Sequence, residues 1–301
     1  MILELGADYS FDITYRALVM GILNRTPDSF FDGGQYFDFD SFMKKAEGLV
    51  EGGADFLDVG GVKAGPGPEV STEEELERVV PAIAALRDRF DLPISVDTWN
   101  PQVLRESLAA GASVGNDISG FEHPDYLPTC AEFSAAVVAT HIRLGPRIPD
   151  PKPVYGNLQL EVRAFLEGRA RAALTAGIPP QRIMVDDGMD LGKTEPQSLE
   201  LLRSSEHLAA LGYATFLSAS NKRFLGALLG TEVTDRRQAS HAAHALGIAK
   251  GCRVLRAHDV VGARRTADVL ATLLQAQAEQ PRQSEQSEQP GHAGQPDRRA
   301  S

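Results

Sequence analysis

The chain has 301 residues, with 30 Lys and Arg against 41 Asp and Glu, a formal charge of −11. That balance excludes a surface given over to a basic nucleic-acid footprint, and no apolar run reaches the ~18 residues of a membrane span. Cys130 and Cys252 lie far apart with no CxxC, and Met1 to Gly6 has no signal-peptide pattern, so a reducing cytoplasm is the expected setting.

Residues 1–17 read as a short cap, a hairpin closing the end of a barrel. After it, short β-rich runs alternate with segments of helical apolar spacing. Leu18 to Leu23 is followed by a helix from Phe39 to Val50. Phe56 to Val59 precedes a helix from Glu73 to Arg87. Ser71 and Thr72 each stand three residues before a glutamate there, a capping-box spacing, and Pro81 predicts a kink. Ile94 to Val96 leads to Pro101–Ala110, and Ser113 to Gly115 to a short helix from about Asp125. Ala136 to Ala139 precedes a loop and a long helix from about Leu158 to Ala176. Ile183 to Val185 is followed by Glu195–Leu211, and Ala214 to Leu217 by Lys222–Leu229 and Arg237–Lys250. Val254 and Leu255 lead into Val260–Gln275. Eight strand–helix units in this length predict an α/β fold of the TIM (β/α)8 type over 18–276. Residues 277–301 have the composition of a disordered tail.

Chemistry in such a barrel collects where strands end. Here those positions are polar around the ring: Asn24, Asp58 and Gly60, Asp97, Asn116 and Asp117, His141 and Arg143, Asp186, Ser218 to Lys222, and Arg256 with His258. Any one alone could be a turn or cap residue. As a ring, carboxylates and amides come from the third, fourth and sixth units, and cations from the fifth, seventh and eighth. The split fits a ligand with N–H donors at one end, like an aminopyrimidine edge. Its other end would be anionic, held by Lys222, Arg256 and His258.

Gly188 to Thr194 ends in Gly-Lys-Thr without P-loop spacing. His241 and His244, three apart on a helix, read as a surface pair, because zinc needs at least three protein ligands. Trp99 could wall a flat ligand or pack on its loop.

Met20-Gly-Ile-Leu-Asn-Arg-Thr-Pro-Asp-Ser-Phe-Phe-Asp-Gly-Gly34 resembles the first signature of dihydropteroate synthases, and Gly53-Ala-Asp-Phe-Leu-Asp-Val-Gly-Gly61 resembles the second. Ser95-Val-Asp-Thr98, Asn116-Asp-Ile-Ser-Gly120, Gly192-Lys-Thr194 and Arg256-Ala-His-Asp-Val260 follow in family order. The resemblance covers about residues 14–275. It implies a TIM barrel that joins 6-hydroxymethyl-7,8-dihydropterin pyrophosphate to p-aminobenzoate with loss of pyrophosphate, using Mg²⁺, usually as a homodimer. It implies that Asp97, Asn116, Asp186 and Lys222 hold the pterin. Asn24, Arg256 and His258 would hold pyrophosphate, with Asn24 also facing Mg²⁺.

The chain departs from the family around the second substrate. Where the family reads Glu-Ser-Thr-Arg-Pro-Gly, this chain reads Val62-Lys63-Ala64-Gly65-Pro66-Gly67. Its Ser-Arg-Lys-Ser is Ser220-Asn221-Lys222-Arg223 here, and its Asp-Pro-Gly is Asp186-Asp187-Gly188, with Asp190 a further carboxylate. The loop that clasps p-aminobenzoate has lost its arginine. The resulting expectation is a divergent paralog, like those of actinobacteria, with weak or absent condensation. The alternatives are a working synthase, with Lys63 or Arg223 substituting, and a non-catalytic partner subunit.

Overall fold

The computed structural model describes residues 1–25 and 38–287. Most of the first signature, Thr26 to Gly34, and residues 288–301 of the expected tail lie outside that range.

Strands β1 (Ile2–Glu4) and β2 (Ser10–Asp12) form an antiparallel hairpin. Eight further strands close a parallel barrel in the order β10-β3-β4-β5-β6-β7-β8-β9. They are β3 (Leu18–Asn24), β4 (Phe56–Gly60), β5 (Ile94–Asp97), β6 (Val114–Asp117), β7 (Ala136–Thr140), β8 (Ile183–Asp186), β9 (Ala214–Leu217) and β10 (Val254–Ala257). Between them run α1 (Asp38–Glu51), α2 (Thr72–Arg89), α3 (Pro101–Ala109), α4 (Tyr126–Glu132), α5 (Leu158–Thr175), α6 (Glu195–Arg203), α7 (Glu206–Ala209), α8 (Arg223–Leu229) and α9 (Arg237–Ala249). The last helix is α10 (Val260–Ser287).

Strand alternation divides the apolar residues into two cores. Val19, Leu57, Val59, Ile94, Val96, Val137, Val185 and Leu255 pack outward under the helices. Leu18, Met20, Phe56, Val114, Val138, Met184, Phe216 and Val254 fill the barrel interior, joined by Leu3, Leu5 and Ile13 from the N-terminal segment. The hairpin therefore plugs one end of the barrel, and Arg182 fastens it through Glu4 at 2.8 Å.

Local sequence explains most helix limits. Ser71 Oγ accepts from the Glu74 amide at 3.1 Å and starts α2, which runs on through Pro81. Asn100 starts α3 by accepting from the Gln102 amide at 2.9 Å. The helix read over 195–211 is two helices. Ser204 and Ser205 turn their hydroxyls back onto the carbonyls of Glu200, Leu201 and Leu202 where they meet, competing with the backbone ladder. Helix α10 continues to Ser287, eleven residues past the boundary read at 276. Ala, Glu, Gln and Arg, all good helix formers, make up much of that extension. No described helix is long and apolar enough to cross a membrane.

Candidate active site

The parity that points Phe56, Val114, Met184 and Val254 inward also carries Asp58, Asn116, Asp186 and Arg256, each two residues further along its strand. Ser95 and Asp97 follow the same rule on β5, where Ile94 and Val96 face outward. Asn24 closes β3 two residues past Ile22, in register with Gly60, which is itself paired with Asp97. Apolar layers thus fill the barrel from below, and a polar layer lines its mouth.

Asp58 is the centre of that layer and is fully buried. It accepts from Ser95 Oγ at 2.7 Å, from Arg256 Nε at 2.7 Å and, loosely, from Asn116 Nδ2 at 3.4 Å. Arg256 Nη2 donates to Asp97 at 2.8 Å. Asp186 receives the Gly188 amide at 2.8 Å. Lys222 lies at the start of α8 with Nζ on the Met189 carbonyl at 2.8 Å. Asp97, Asn116, Asp186, Lys222 and Arg256 therefore share one mouth. In the sequence Asp58 is one strand-end residue among several. Its inward parity with Phe56 was the available signal.

Negative charge is in surplus here. Asp58, Asp97 and Asp186 face Arg256 and Lys222. Burial, together with the neighbouring Asp58, pushes Asp97 up to about 7, against the pull of Arg256. Burial also raises Asp186 and lowers Lys222. Such a well accepts a ligand edge rich in N–H donors.

The opposite side differs from the expected ring of cations. His258, at the exposed rim, donates its amide to Ser220 Oγ at 3.1 Å. Partial desolvation, then the charges of Arg256, Lys45 and Lys222, push its imidazole down to about 4. His258 is therefore neutral near pH 7. His141 is neutral too, pushed down to about 3 by burial and by Lys193. Arg143 is spent on Asp150, its Nη2 at 2.6 Å.

Lys193, in the Gly-Lys-Thr segment, is a buried clamp. Its Nζ reaches His141 Nδ1 at 2.9 Å and the carbonyls of His141, Gly188 and Leu191 at 2.9–3.2 Å. The clamp holds the loop after β8 against the end of β7. Gly188 permits this approach: its φ is +64°, and a Cβ there would lie 2.0 Å from the His141 carbonyl oxygen. Gly188→Ala is expected to cost about 2–4 kcal/mol, adding overpacking to left-handed strain, seen as a lower urea midpoint. An unchanged midpoint would show that this loop does not need the glycine.

The two extra carboxylates separate. Asp190, at φ +66°, accepts from the Arg223 amide at 2.6 Å and the Phe224 amide at 3.4 Å, so it ties the loop to the start of α8. Asp187 is buried with Oδ1 unpartnered, and burial together with Asp186 pushes it up to about 7. Asp117 has outward parity and holds its own turn through the amides of Ser119 and Phe121.

Outside the well, Ala64, Gly65 and Pro66 line a cleft of about 290 Å³ with the segment 144–151 and Arg223. Lys63 is exposed beside them. Trp99 lines a neighbouring cleft of about 310 Å³ with Val62 and Arg147. His244, read as a surface residue, is buried on the inner face of α9. His241 lies 3.1 Å from Asp259. Among the described residues no three His, Cys, Asp or Glu side chains could hold a metal.

Comparison with known proteins decides the family. The model of the family described as "Pterin binding enzyme" matches residues 20–258. A dihydropteroate synthase of Synechocystis sp. is 40% identical over 254 residues, 83% of this chain and 88% of that protein. The chain belongs to the dihydropteroate synthase family. A Streptococcus pyogenes synthase is 37% identical over 268 residues, 88% of this chain and 98% of its own length. Among solved structures, the Yersinia pestis synthase in a sulfonamide complex superposes with a TM-score of 0.85 at 32% identity, covering 92% of this chain and all of that one. The Xanthomonas albilineans synthase with 4-aminobenzoic acid gives 0.82 at 38% identity, covering 92% and 98%. The match to this synthase family spans the whole barrel, so the altered loop at Ala64 and Gly65 is a local departure.

Proposed function

We propose that the protein is a working dihydropteroate synthase. It would join 6-hydroxymethyl-7,8-dihydropterin pyrophosphate to p-aminobenzoate and release pyrophosphate. The observation that carries this reading is the single polar well formed by Asp58, Asp97, Asn116, Asp186, Lys222 and Arg256. Similarity to synthases over nearly their full length supports it, and favours it over the weakened paralog expected from the loop alone. The loop has also kept an anchor: the Arg147 amide donates to the Ala64 carbonyl at 3.2 Å, and the Arg147 guanidinium to that of Pro68.

In this reading Asp97 and Asp186 accept the N–H groups of the pterin edge, Asn116 pairs with the same edge, and Lys222 lies against the ring. The C–O bond to pyrophosphate breaks and leaves a pterin-stabilised cation. The well's surplus negative charge favours that cation. The arylamine nitrogen then attacks, a C–N bond forms, and its proton passes to solvent. No covalent enzyme intermediate is needed.

Arg256 Nη1 has no partner among the described residues and serves the departing anion. His258 and Asn24 complete that end. Mg²⁺ is commonly held by few protein oxygens, with water and phosphate completing the shell. Asn24 fits this, because its side chain makes no hydrogen bond among the described residues and sits at the mouth. When bound, Mg²⁺ would neutralise charge on the leaving pyrophosphate. A homodimer is the expected assembly.

The test is turnover by the purified full chain with both substrates and Mg²⁺, alongside rescue of a host lacking its own synthase. Dihydropteroate formation and rescue are expected. Tight pterin pyrophosphate binding with no product would return the reading to a pterin-binding paralog.

A further inference from the structure

We propose that Arg147 is the specificity residue that grips the carboxylate of the second substrate, in place of an arginine on the loop after β4. The proposal rests on the synthase reading and deepens it.

The cleft of about 290 Å³ beside the well has apolar walls, among them Pro66, Leu144, Ile148 and Leu191. Walls of that kind suit a flat ring. Its acidic residues are already engaged. Asp150 is bound by Arg143 at 2.6 Å, and Asp190 by the first amides of α8. Arg223 is exposed and lies 3.5 Å from Glu195. Arg147 meets no carboxylate among the described residues. Its backbone is held at φ +63°, and its amide and guanidinium are tied to the carbonyls of Ala64 and Pro68. One of its five N–H donors is thereby used, and a planar two-oxygen acceptor is what the remaining fork matches.

The position suits the reaction. The cleft and the polar well share the loop after β8: residues 190–193 line the cleft, and Met189 of the same loop holds Lys222. An aromatic acid with its carboxylate on Arg147 would lie along the apolar wall with its opposite end towards Lys222. The arginine thus reaches the cleft from the loop after β7.

The test compares p-aminobenzoate with its neutral amide, 4-aminobenzamide, on the wild type, Arg147→Ala and Arg147→Lys. Binding is read by calorimetry with 6-hydroxymethylpterin, pyrophosphate and Mg²⁺ present, and turnover with the reactive pterin. Arg147→Ala is expected to weaken p-aminobenzoate binding about 10- to 100-fold, the scale of a lost charge-assisted clasp. The amide should be unaffected. KM for p-aminobenzoate should rise by the same factor with kcat nearly constant, and Arg147→Lys should recover only part of the loss. Unchanged binding, equal loss for acid and amide, or a wild type that binds no aromatic carboxylate would each overturn the assignment. Product formation with an indifferent Arg147→Ala would sink this assignment alone. Binding of the acid through Arg147 without product would sink the synthase reading alone.

Discussion

Arg256→Leu is expected to lower kcat/KM by about 10²- to 10⁴-fold. The guanidinium bridges Asp58 and Asp97 at 2.7 and 2.8 Å. Leucine would leave these two carboxylates in a buried layer without the guanidinium that pairs them. Breaking a buried pair from one side costs about 3–5 kcal/mol, which corresponds to that fall in rate if the transition state bears it. Two losses combine. Without the pull of Arg256, Asp97 would hold its proton more firmly and cease to be a clean acceptor for the pterin in the proposed reaction, and the departing pyrophosphate would lose a cation. Arg256→Lys should restore charge without the fork and recover only part of the rate. Steady-state kinetics on the three proteins, with urea unfolding beside them, separates lost chemistry from lost folding. A kcat/KM within tenfold of wild type in Arg256→Leu would remove Arg256 from the mechanism.

The second large effect concerns pH. In the proposed reaction Asp97 would have to be ionised to accept the pterin edge, and its carboxyl is pushed up to about 7 from an ordinary 3.8. The kcat/KM for the pterin pyrophosphate is therefore expected to fall as pH drops through about 7, with an acid limb unusually high for a carboxylate. Asp97→Asn should abolish that limb and lower the plateau about 10²-fold, in line with a lost charge-assisted bond. Stability moves the other way. Asp97 and Asp187 near 7, and Asp117 near 6, hold protons more firmly in the folded chain than in the unfolded one. Their contribution to stability therefore falls as pH rises from about 4 to about 7, and the deficit is complete above that. A pH series of urea midpoints would read this, and midpoints flat across that window would contradict it.

The fold and the mouth of the barrel were legible from the sequence because both follow from short-range periodicity. Alternation along a strand sends every second residue to the same side. A run such as Ile183 to Asp186 therefore announces an outward layer, an inward layer and a polar tip. The ring of Asp97, Asn116, Asp186 and Arg256 follows in the sequence from a simpler rule, their place where strands end. Alternation could also have promoted Asp58, which shares the inward parity of Phe56.

Tertiary structure alone decided how the charges are shared. The sequence assigns Arg256 to the anionic end, yet two of its donors go to Asp58 and Asp97, residues 198 and 159 positions away. His141 and His258 stand among the cations of the sequence ring, and burial and neighbouring charges leave them neutral. Lys193 became a clamp and Asp190 a brace because of carbonyls and amides on other loops. Arg147 came to stand over Ala64 only when the loops after β4 and β7 met. Periodicity is a property of adjacent residues and can be read along the chain. Protonation and pairing depend on dielectric and on partners far away in sequence, and folding alone brings those together.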